Sequence, residues 1–390
     1  MRESISMGHN KTVWDNPADV IRNLQPENPV IVFAPTVLQE RARRFMDGFP
    51  GLVTYAVKSN PEEVVVQNLL SAGIRGFDVA SPAEIDLIGR LAPGAARHYH
   101  NPVRASFEIT QAVRAGVRAW SVDSDSELAK LFAQVPVEID GKGVEISPRF
   151  KLPVLGAIYD FGSKFGAAPE AAAEMLKAVA ARGYVPSLTF HPGTQCVDPA
   201  AWESYISVAR DICDQAGVKI RRLNVGGGFP SYRVVGVEPE LEAIFDRIGE
   251  TARTVFGDDK PELVCEPGRG LCADAFSLIT RVKAVRDGSS VFLNDGVYGG
   301  LAELPVVGNI DRVQVLTPAG EPREDERSGR IIFGPTCDSV DRLPGELGLP
   351  ETIAEGDYVI FHGAGAYSTV TNTRFNGFGE LLHATVMALE

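Results

Sequence analysis

Charged and reactive side chains recur in this sequence where short apolar segments end. These segments are rich in β-branched and aromatic residues, a composition typical of buried strands. The residues that follow them are, in chain order, Lys58, Asp78, His100 with Asn101, Asp123, Arg149, His191, Gly226 with Gly227 and Gly228, and Glu266. Enzymes built on a barrel of parallel strands place their chemistry at the carboxyl ends of those strands. This recurrence therefore predicts one active site at that edge.

Lys58 has two interpretations in its context, TYAVKSN. A lone lysine at a strand end commonly extends its amine to solvent and has no chemical role. A lysine held in a desolvated pocket has a lowered pKa and becomes a nucleophile toward an aldehyde. The segment alone leaves both interpretations open.

Two glycine-containing turns could hold an anion. Gly226, Gly227 and Gly228 follow the segment LNV, and the segment EPGRG contributes Gly268 and Arg269. Glycine turns let backbone N–H groups approach an anion, and the loops after the seventh and eighth strands of a barrel often bind phosphate. A tight structural turn is the alternative for each segment, but the two together predict a phosphate site.

Glu266 and His191 each have a structural and a chemical interpretation. Glu266 is either an ordinary strand-end carboxylate or the partner of a pyridine nitrogen, which it would keep protonated so that the ring accepts electrons. His191 is either a histidine satisfied within the core or a ring that packs flat against a cofactor.

The elements that would position these residues alternate between strands and helices from about residue 36 to residue 270. Helical patterns separate the strand-like segments and cover residues 61–73, 81–91, 124–134 and 169–183. The strand-like segments are residues 52–58, 74–80, 97–100, 118–123, 144–149, 186–191, 219–225 and 262–266. Eight alternations favour an α/β fold with a closed (β/α)8 TIM barrel, and an open doubly wound sheet is the competing topology.

The pattern changes after about residue 275. Strand-like segments separated by turns follow one another without a strong helical pattern, at residues 275–288, 290–295, 312–317, 330–334, 358–363 and 380–389. The segment 29–35 is also strand-like, and the polar segment 317–330 is predicted to be a loop. We predict two domains, a barrel over 36–270 and an all-β domain formed by 1–35 with 271–390.

The composition limits the class of protein. The formal charge of the 390-residue chain is −13, so we expect neither nucleic acid nor an anionic membrane surface as a partner. The five cysteines form no C-x-x-C pair, which argues against a disulfide framework and a structural zinc site, and we predict no metal. The segment 1–17 lacks the apolar core of a signal peptide, and no run of ~18 apolar residues is present. We expect a cytoplasmic protein.

Nine segments, in this order, resemble the fold-type III decarboxylases that use pyridoxal 5′-phosphate (PLP), a family that includes the ornithine, lysine, arginine and diaminopimelate decarboxylases. They span about residues 30–385 and are YAVKSN (55–60), FDVASPAEI (77–85), HPGTQC (191–196), NVGGGFP (224–230), EPGRG (266–270), NDGVYGG (294–300), FGPTCDSVD (333–341), GAY (365–367) and FNGF (375–378). The resemblance is to the ornithine and lysine branch, and it implies an alanine-racemase-like barrel with a C-terminal β domain.

The resemblance implies a role for each matching residue of the barrel. Lys58 resembles the lysine that joins the PLP aldehyde as a Schiff base, Glu266 the partner of the pyridine nitrogen, and His191 the residue stacked on the ring. The residues that resemble contacts to the PLP phosphate are Thr194, Gly226, Gly227, Gly228, Gly268, Arg269 and Tyr367. The residues that resemble the shell orienting the lysine and the cofactor are Asp78, Glu84 and Arg149.

The resemblance also implies how the substrate is handled. Cys337 resembles the donor of a proton to the α-carbon after CO2 leaves, and Asp338 resembles the residue that receives the distal amine of the substrate. Tyr298 and Phe375 would complete the substrate site. In this family Cys337 and Asp338 would reach the site of the other subunit, which implies a homodimer with two shared sites. The implied reaction is decarboxylation of a basic amino acid, ornithine or lysine, a step of polyamine biosynthesis.

The sequence departs from the family where the distal amine is recognised. Ornithine decarboxylases usually carry a further acidic residue about nine positions after the tyrosine of DGVYG, and here that offset falls on Val307. Glu303 and Asp311 are acidic, but neither lies in register. A modified or conjugated ornithine or lysine is therefore an alternative substrate. A smaller departure, Pro192 where the family usually has Val, affects the local backbone.

Four other functions are weighed against this one. Diaminopimelate decarboxylases usually have CES where this chain has CDS (337–339), and racemases of this fold generally place an arginine where Glu266 stands. A catalytically dead homologue with a regulatory partner would lose cofactor residues, yet Lys58, Glu266 and Cys337 are all present. A PLP carrier without its own substrate would release no CO2 from basic amino acids.

Overall fold

The computed structural model describes residues 12–152, 164–308 and 310–390. The chain divides into two compact units, which are treated separately below. One comprises Leu38–Tyr232 with Gly236–Ala273, and the other comprises the described residues up to Val37 together with Arg233–Val235 and Asp274–Glu390. The N-terminal segment that bears on a signal peptide lies largely outside the described residues, as does the start of the predicted domain 1–35.

The first unit is a barrel of parallel strands. Its strands are Leu52–Ala56, Gly76–Val79, Ala96–Tyr99, Ala119–Val122, Glu145–Pro148, the two short segments Val185–Pro186 and Leu188–Thr189, then Arg222–Asn224 and Glu262–Cys265. Each predicted strand is present, and all neighbours pair in parallel. The sheet closes between the fifth and sixth strands, where Ser187 N donates to Ile146 O (3.2 Å) and Phe150 N donates to Thr189 O (3.1 Å). The predicted (β/α)8 barrel is thus confirmed over the open sheet.

A helix precedes the first barrel strand, and helices separate the strands that follow. The helices are Pro35–Gly48, Glu63–Ala72, Pro82–Leu91, Ser106–Arg114, Asp125–Gln134, Pro169–Ala181, Ala200–Ala216, Leu241–Phe256 and the single turn Arg269–Cys272. Local sequence sets several of these starts. Ser81 accepts a hydrogen bond from the Glu84 N–H, and Ser124 accepts one from the Glu127 N–H, which satisfies a backbone donor that a helix start leaves unpaired. These caps follow the second and fourth barrel strands and begin a helix directly after each strand's carboxyl end.

The second unit is a mixed nine-stranded sheet. Its strands are Val13–Trp14, Val30–Phe33, Phe276–Arg286, Ser290–Leu293, Val313–Leu316, Arg327–Phe333, Leu347–Pro350, Tyr358–His362 and Leu382–Val386. The long strand Phe276–Arg286 is central, since it pairs antiparallel with Val30–Phe33, Tyr358–His362 and Ser290–Leu293. The predicted C-terminal β domain is confirmed as mostly sheet, and it takes in the strand within segment 29–35.

Helices in this second unit were not predicted from the sequence. Pro17–Leu24 is a two-turn helix that begins at Asn16, whose side chain accepts a hydrogen bond from the Asp19 N–H (3.0 Å). Its buried face packs Val20 and Ile21 against the sheet. A four-residue helix, Leu304–Val307, and short turns connect the other strands. Among the described residues, no helix combines the length and the apolar composition needed to cross a bilayer.

Candidate active site

A cavity of about 240 Å³ lies at the carboxyl ends of the barrel strands. The residues that line it include most of those predicted from the strand ends, namely Lys58, Asp78, His100, Asn101, Arg149, His191 and Glu266, together with Ala80, Pro102, Lys164, Phe165, Thr189 and Phe190. They come from the first, second, third, fifth, sixth and eighth strands. The barrel thus brings side chains that are far apart in sequence to one concave surface.

Lys58 lies just beyond the first strand rather than on it. The strand ends at Ala56, and Val57–Ser59 form one turn of 3-10 helix. Ser59 fixes this turn, because its hydroxyl donates to Ala56 O (2.8 Å) and lies 3.1 Å from the Tyr55 hydroxyl. The flanking Val57 and Ser59 are buried, whereas the Lys58 side chain is exposed at the cavity. Lys58 therefore extends into the cavity from a buried turn.

Two carboxylates face the amine of Lys58. Asp78 is buried at the end of the second strand, and Glu84 lies in the first turn of the helix that follows, where it accepts a hydrogen bond from the Ala80 N–H (2.7 Å). Burial, followed by the charge of Glu266, raises the pKa of Asp78 to about 7, although the positive charge of Lys58 opposes this shift. Burial also raises the pKa of Glu84. At neutral pH Asp78 is able to exchange a proton within the site.

Glu266 is buried at the end of the eighth strand and is held by two neighbours. His100 Nδ1 makes a short hydrogen bond to Glu266 Oε1, and Asn224 Nδ2 donates to the same oxygen (2.5 Å). Asn224 also accepts a hydrogen bond from the Gly226 N–H (2.9 Å). Burial opposes the charge of Glu266, but His100 and Asn224 lower its pKa to about 2. Glu266 is therefore a fixed anion at neutral pH.

His191 is a neutral ring at the cavity wall. Burial, with the positive charges of Arg149 and Lys58, holds its pKa well below the usual value for histidine. Its Nδ1 accepts a hydrogen bond from the Gly193 N–H (3.1 Å), which fixes the tautomer as Nε2–H. A neutral, oriented ring is suited to packing flat against another ring.

The glycine turn after the seventh strand is packed against neighbouring backbone. A Cβ on Gly226 would lie 2.3 Å from Phe190 O, one on Gly227 would lie 2.6 Å from Glu266 O, and one on Gly228 would lie 2.1 Å from Gly193 O. Gly226 (φ +72°) and Gly228 (φ +85°) also adopt the left-handed conformation. Close approach therefore explains all three glycines, and it presses the turn against the segment that carries His191 and Thr194.

The other predicted barrel contacts follow the fifth, sixth and eighth strands. Gly268 abuts Ser59, because a Cβ there would lie 3.0 Å from the serine side chain, and the buried Arg269 begins the helical turn that follows. Arg149 lies at the cavity wall, and burial lowers its pKa. Thr194 is half-buried in the loop after the sixth strand, where the Cys196 N–H donates to Gly228 O (2.9 Å).

The remaining predicted residues lie in the second unit, and most of them form one cluster there. The Tyr298 hydroxyl donates to Asp338 Oδ2 (2.6 Å), and the rings of Tyr298 and Phe375 lie 4.7 Å apart. The exposed Cys337 thiol donates to Asn376 Oδ1 (3.3 Å), which also accepts from the Cys337 N–H (3.2 Å). Tyr298, Cys337, Asp338 and Phe375 are thereby brought together. Tyr367 is half-buried with a left-handed backbone (φ +65°).

The two acidic residues considered as a second partner for the distal amine are already engaged. Glu303 forms an ion pair with Arg233 (3.7 Å), and both side chains are largely buried. Asp311 accepts a hydrogen bond from the Val235 N–H (2.9 Å). Both carboxylates hold the segment 233–235, which leaves Asp338 as the carboxylate that hydrogen-bonds Tyr298.

Three residues of these clusters were not given a role from the sequence. His100 and Asn224 hold Glu266, and Asn376 holds Cys337. The one available signal was the spacing of HYHN at the third strand, since alternation along a strand points His98 and His100 to the same side. Asn224 and Asn376 carry no local signal, because their partners are distant in the sequence.

The residues of the barrel cavity fit PLP. Asp78 Oδ1 and His100 Nε2 are buried at the cavity without a hydrogen-bond partner among the described residues, as expected where a polar ligand belongs. The set also offers an amine for an aldehyde, an anionic carboxylate for a ring nitrogen, a neutral ring and a glycine turn for a phosphate. Lys58, Glu266, His191 and Gly226–Gly228 are the residues that would hold the cofactor.

Known proteins of this fold and sequence agree with that fit. Residues 36–273 match the family described as pyridoxal-dependent decarboxylase, pyridoxal binding domain. The chain is 31% identical over 334 residues to the lysine/ornithine decarboxylase of Selenomonas ruminantium, covering 84% of this chain and 81% of that protein. It is 30% identical over 349 residues to the decarboxylase flvG of Aspergillus flavus, covering 83% of this chain and 77% of that protein. A solved structure, the Paramecium bursaria Chlorella virus arginine decarboxylase bound to agmatine, superposes with a TM-score of 0.83 at 25% identity over 94% of this chain and 98% of that one.

Proposed function

The chain belongs to the pyridoxal-dependent decarboxylase family and is a PLP-dependent carboxy-lyase, and from this premise we propose that it decarboxylates a basic amino acid, ornithine or lysine. The observation that carries the proposal is the convergence of the Lys58 amine and the Glu266 carboxylate on one cavity, with the neutral ring of His191 at its wall. We assign this cavity to a cofactor-binding domain over 36–270, and we assign 1–35 with 271–390 to a β domain.

The barrel residues predicted to contact the cofactor have different roles in this chemistry. PLP supplies the electron sink that accepts the bonding electrons when the carboxylate leaves as CO2. Lys58 anchors the cofactor through its amine, and Glu266, anionic at neutral pH, stabilises a proton on the ring nitrogen. His191 packs against the ring and holds it in place. Asp78, Glu84 and Arg149 orient the amine and the ring.

We assign the phosphate to the glycine turn and the residues around it. Backbone N–H groups in a glycine turn present fixed partial positive charge to an anion without side chains in the way. The contacts are Thr194, Gly226, Gly227, Gly228, Gly268, Arg269 and Tyr367. The tight packing of the turn against the loop after the sixth strand supports a preorganised cradle.

The second-unit cluster handles the substrate. Asp338, hydrogen-bonded to Tyr298, receives the distal amine, and Phe375 covers its apolar chain. Cys337 returns a proton to the α-carbon, with its thiol oriented by Asn376. We propose that these residues act in the site of a partner subunit, so that the protein is a homodimer with shared sites. The exposure of Cys337 and Phe375 in the single chain supports an interface at this cluster.

A modified or conjugated ornithine or lysine is the second candidate substrate. It is favoured by one observation, namely that Glu303 and Asp311 are committed to the segment 233–235. A single carboxylate with a tyrosine hydroxyl suits a distal group that carries fewer N–H donors than a free ammonium. Arginine and diaminopimelate are the further alternatives. With ornithine or lysine as substrate, the product amine belongs to polyamine biosynthesis, and four buried free cysteines support a reducing, cytoplasmic location.

One experiment tests the proposal directly. PLP-loaded protein is incubated with D- and L-forms of ornithine, lysine, arginine, diaminopimelate and their N-substituted derivatives, and CO2 and amine products are measured. Preference for one chain length identifies the substrate. Release of CO2 from none of them would reject a decarboxylase of basic amino acids. Borohydride treatment followed by peptide mass analysis tests the anchor separately, and a tag on any other lysine would reject Lys58.

A further inference from the structure

A buried cluster at the barrel rim contains more ionisable groups than the proposed roles use. His100 Nδ1 lies against Glu266 Oε1 and 3.9 Å from Asp78 Oδ1, and Asn224 Nδ2 lies 3.0 Å from the same nitrogen. Side-chain exposure is 8% for His100, 6% for Asp78 and 10% for Glu266. Four strands of the barrel, the second, third, seventh and eighth, each contribute one member.

The hydrogen bonds show which nitrogen of His100 carries the proton. Glu266 is acceptor-only when ionised, so Nδ1 donates to it. Asn224 donates to the same carboxylate oxygen, and Nε2 of His100 is buried without a partner among the described residues. Among the described residues, Glu266 is therefore the hydrogen-bond acceptor that orients the His100 ring.

The charges around His100 favour its cationic form. Burial alone would lower its pKa, but Glu266 and then Asp78 raise it above the usual value for histidine. The titratable and charged groups around the cluster are Asp78 from the second strand, His98 from its own strand, Glu145 from the fifth, Arg222 from the seventh, Glu266 from the eighth, and Lys58 and Arg149, which act on Asp78 and Glu266. An ion pair of His100 and Glu266 leaves that part of the cluster neutral.

We propose that His100 is a positioning residue that shares the Glu266 carboxylate with the ring nitrogen of PLP, so that His100 must release its proton to solvent when the cofactor binds. The inference rests on the proposed role of Glu266. A protonated ring nitrogen and a protonated His100 would place two cations on one buried carboxylate, and repulsion between these two positive charges would disfavour the second proton. The neutral His100 then still donates Nδ1–H to Glu266 and holds the carboxylate in position.

The proposal predicts a pH dependence of cofactor affinity. Where the apoprotein holds His100 protonated and the PLP-bound protein holds it neutral, one proton leaves on binding. The apparent Kd for PLP should then weaken by about tenfold per pH unit as pH falls below the folded-state pKa of His100. Above that pKa His100 is already neutral in the apoprotein, so it adds nothing to the pH dependence of the Kd.

The test is an equilibrium titration of apoprotein with PLP from pH 5.5 to pH 8.5, followed by the absorbance of the bound cofactor. Because the phosphate and Lys58 also exchange protons, the quantity compared is the difference in slope between the unaltered protein and His100→Asn. We expect the slope of log Kd against pH to be smaller by about one in this variant than in the unaltered protein. Equal slopes in the two proteins would overturn the proposal. No PLP binding by the unaltered protein would instead overturn the proposed function.

His98→Asn is the matched control. His98 lies on the same strand, is buried, and its ring centroid is 5.4 Å from that of His100, but burial lowers its pKa to about 3, so it stays neutral over this range. The slope should therefore equal that of the unaltered protein, and loss of the slope in this variant as well would count against His100. His100→Gln, which keeps a neutral donor, replaces His100→Asn if that variant does not fold.

A measurement on the unaltered protein avoids substitution altogether. The chain has six histidines, so the spectrum of protein labelled with 15N-histidine contains at most twelve ring-nitrogen signals, whose shifts report the charge of each ring. At a pH where the apoprotein shows a charged, buried histidine, saturation with PLP should convert that one ring to the neutral form. A set of histidines whose charges are the same with and without PLP would overturn the proposal.

Discussion

At the scale of residues, two buried carboxylates of the barrel rim have opposite proton affinities. Burial and the charge of Glu266 raise the pKa of Asp78 to about 7, whereas His100 and Asn224 overcome burial and lower that of Glu266 to about 2. Divergent pKa values in one site separate a group that exchanges protons from one that stays charged. Glu266 is thereby suited to stabilising a cation, and Asp78 to adjusting its charge to that of Lys58.

Single residues of the site could be predicted to the extent that they end a strand. Lys58, Asp78, Arg149, His191 and Glu266 all line the cavity, because the rule that chemistry gathers at the carboxyl ends of barrel strands needs only the strand pattern. The contact between His100 and Glu266 could not be predicted this way. It depends on which side chains meet across the closed barrel, and that is a property of the three-dimensional arrangement.

Cys337→Ala tests the assigned proton donor. The variant should still bind PLP at Lys58, because Cys337 is not among the residues assigned to hold the cofactor and its thiol contacts Asn376. Turnover should fall about 100-fold or more, since proton delivery by a positioned side chain typically contributes that much. Product analysis by mass spectrometry would also reveal misdirected protonation. The control is Ser339→Ala at an exposed neighbour, which should turn over normally. Turnover within twofold of the unaltered enzyme in Cys337→Ala would reject the role.

Asp295→Asn tests a buried carboxylate outside the proposed sites. Burial raises the pKa of Asp295 to about 7, from an ordinary value near 3.8 in the unfolded chain. The unaltered protein therefore keeps a stabilising contribution at low pH and loses it as pH rises through about 7. Relative to the unaltered protein, the asparagine variant should gain about 2–3 kcal/mol of unfolding free energy between pH 5 and pH 8.

Urea unfolding of the apoproteins, followed by circular dichroism at the two pH values, measures this gain for Asp295→Asn. The matched control is Asp258→Asn at an exposed position, whose stability should follow that of the unaltered protein. A difference between Asp295→Asn and the unaltered protein that is the same at pH 5 and pH 8 would show that Asp295 is ionised throughout.

At the scale of elements, hydrophobic periodicity located strands better than it located their ends and the short helices. The strand that carries Lys58 was expected to reach residue 58, but it gives way after Ala56 to a turn fixed by Ser59. Likewise the strand Arg327–Phe333 begins inside the polar segment predicted as a loop, because its first residues are exposed and polar residues are tolerated there. The helix Pro17–Leu24 was missed although Asn16 and Pro17 form a recognisable helix start.

The glycine turn yields a prediction about stability. Gly228→Ala would place a Cβ 2.1 Å from Gly193 O, whereas Gly183→Ala, with a nearly equal φ of +83°, meets no atom within 4 Å. The free energy of unfolding of the Gly183 variant should fall by about 1–2 kcal/mol, which is the cost of placing alanine in the left-handed conformation. The Gly228 variant should lose clearly more, because backbone must also move. Thermal unfolding of the two variants makes the comparison, and equal losses would mean that close packing is not what requires Gly228.

At the scale of the whole molecule, the fold class and the presence of a barrel and a separate mostly-sheet unit followed from the sequence, because alternation of helix and strand and a later change of pattern are long-range features. The assembly could not be derived in that way and was implied by resemblance alone. Exposed Cys337 and Phe375 are the structural reason to test it.

Mixing inactive subunits tests shared sites. The Lys58→Ala and Cys337→Ala proteins should each keep about 1% of normal activity or less. If the sites are shared in a dimer, random exchange of subunits should restore roughly a quarter of normal activity, since each mixed dimer would contain one intact site. The assay is CO2 release after the two variants are unfolded and refolded together. A mixture of Lys58→Ala with Lys58→Arg is the control and should stay inactive. Absence of recovery in protein shown to exchange subunits would place both residues in the site of one chain.

The sheet of the second unit brings early and late parts of the polypeptide side by side. Val30–Phe33 pairs in parallel with Leu382–Val386, and Val13–Trp14 pairs with Thr385 and Val386. During synthesis one edge of Val30–Phe33 can pair with Phe276–Arg286, but its other edge stays unpaired until residues 382–386 are made, whereas the barrel residues up to Ala273 are made earlier. Translation that stalls before residue 382 would leave a folded barrel attached to a strand with an unpaired edge. Such an edge can pair with another chain, so this product would be prone to aggregation.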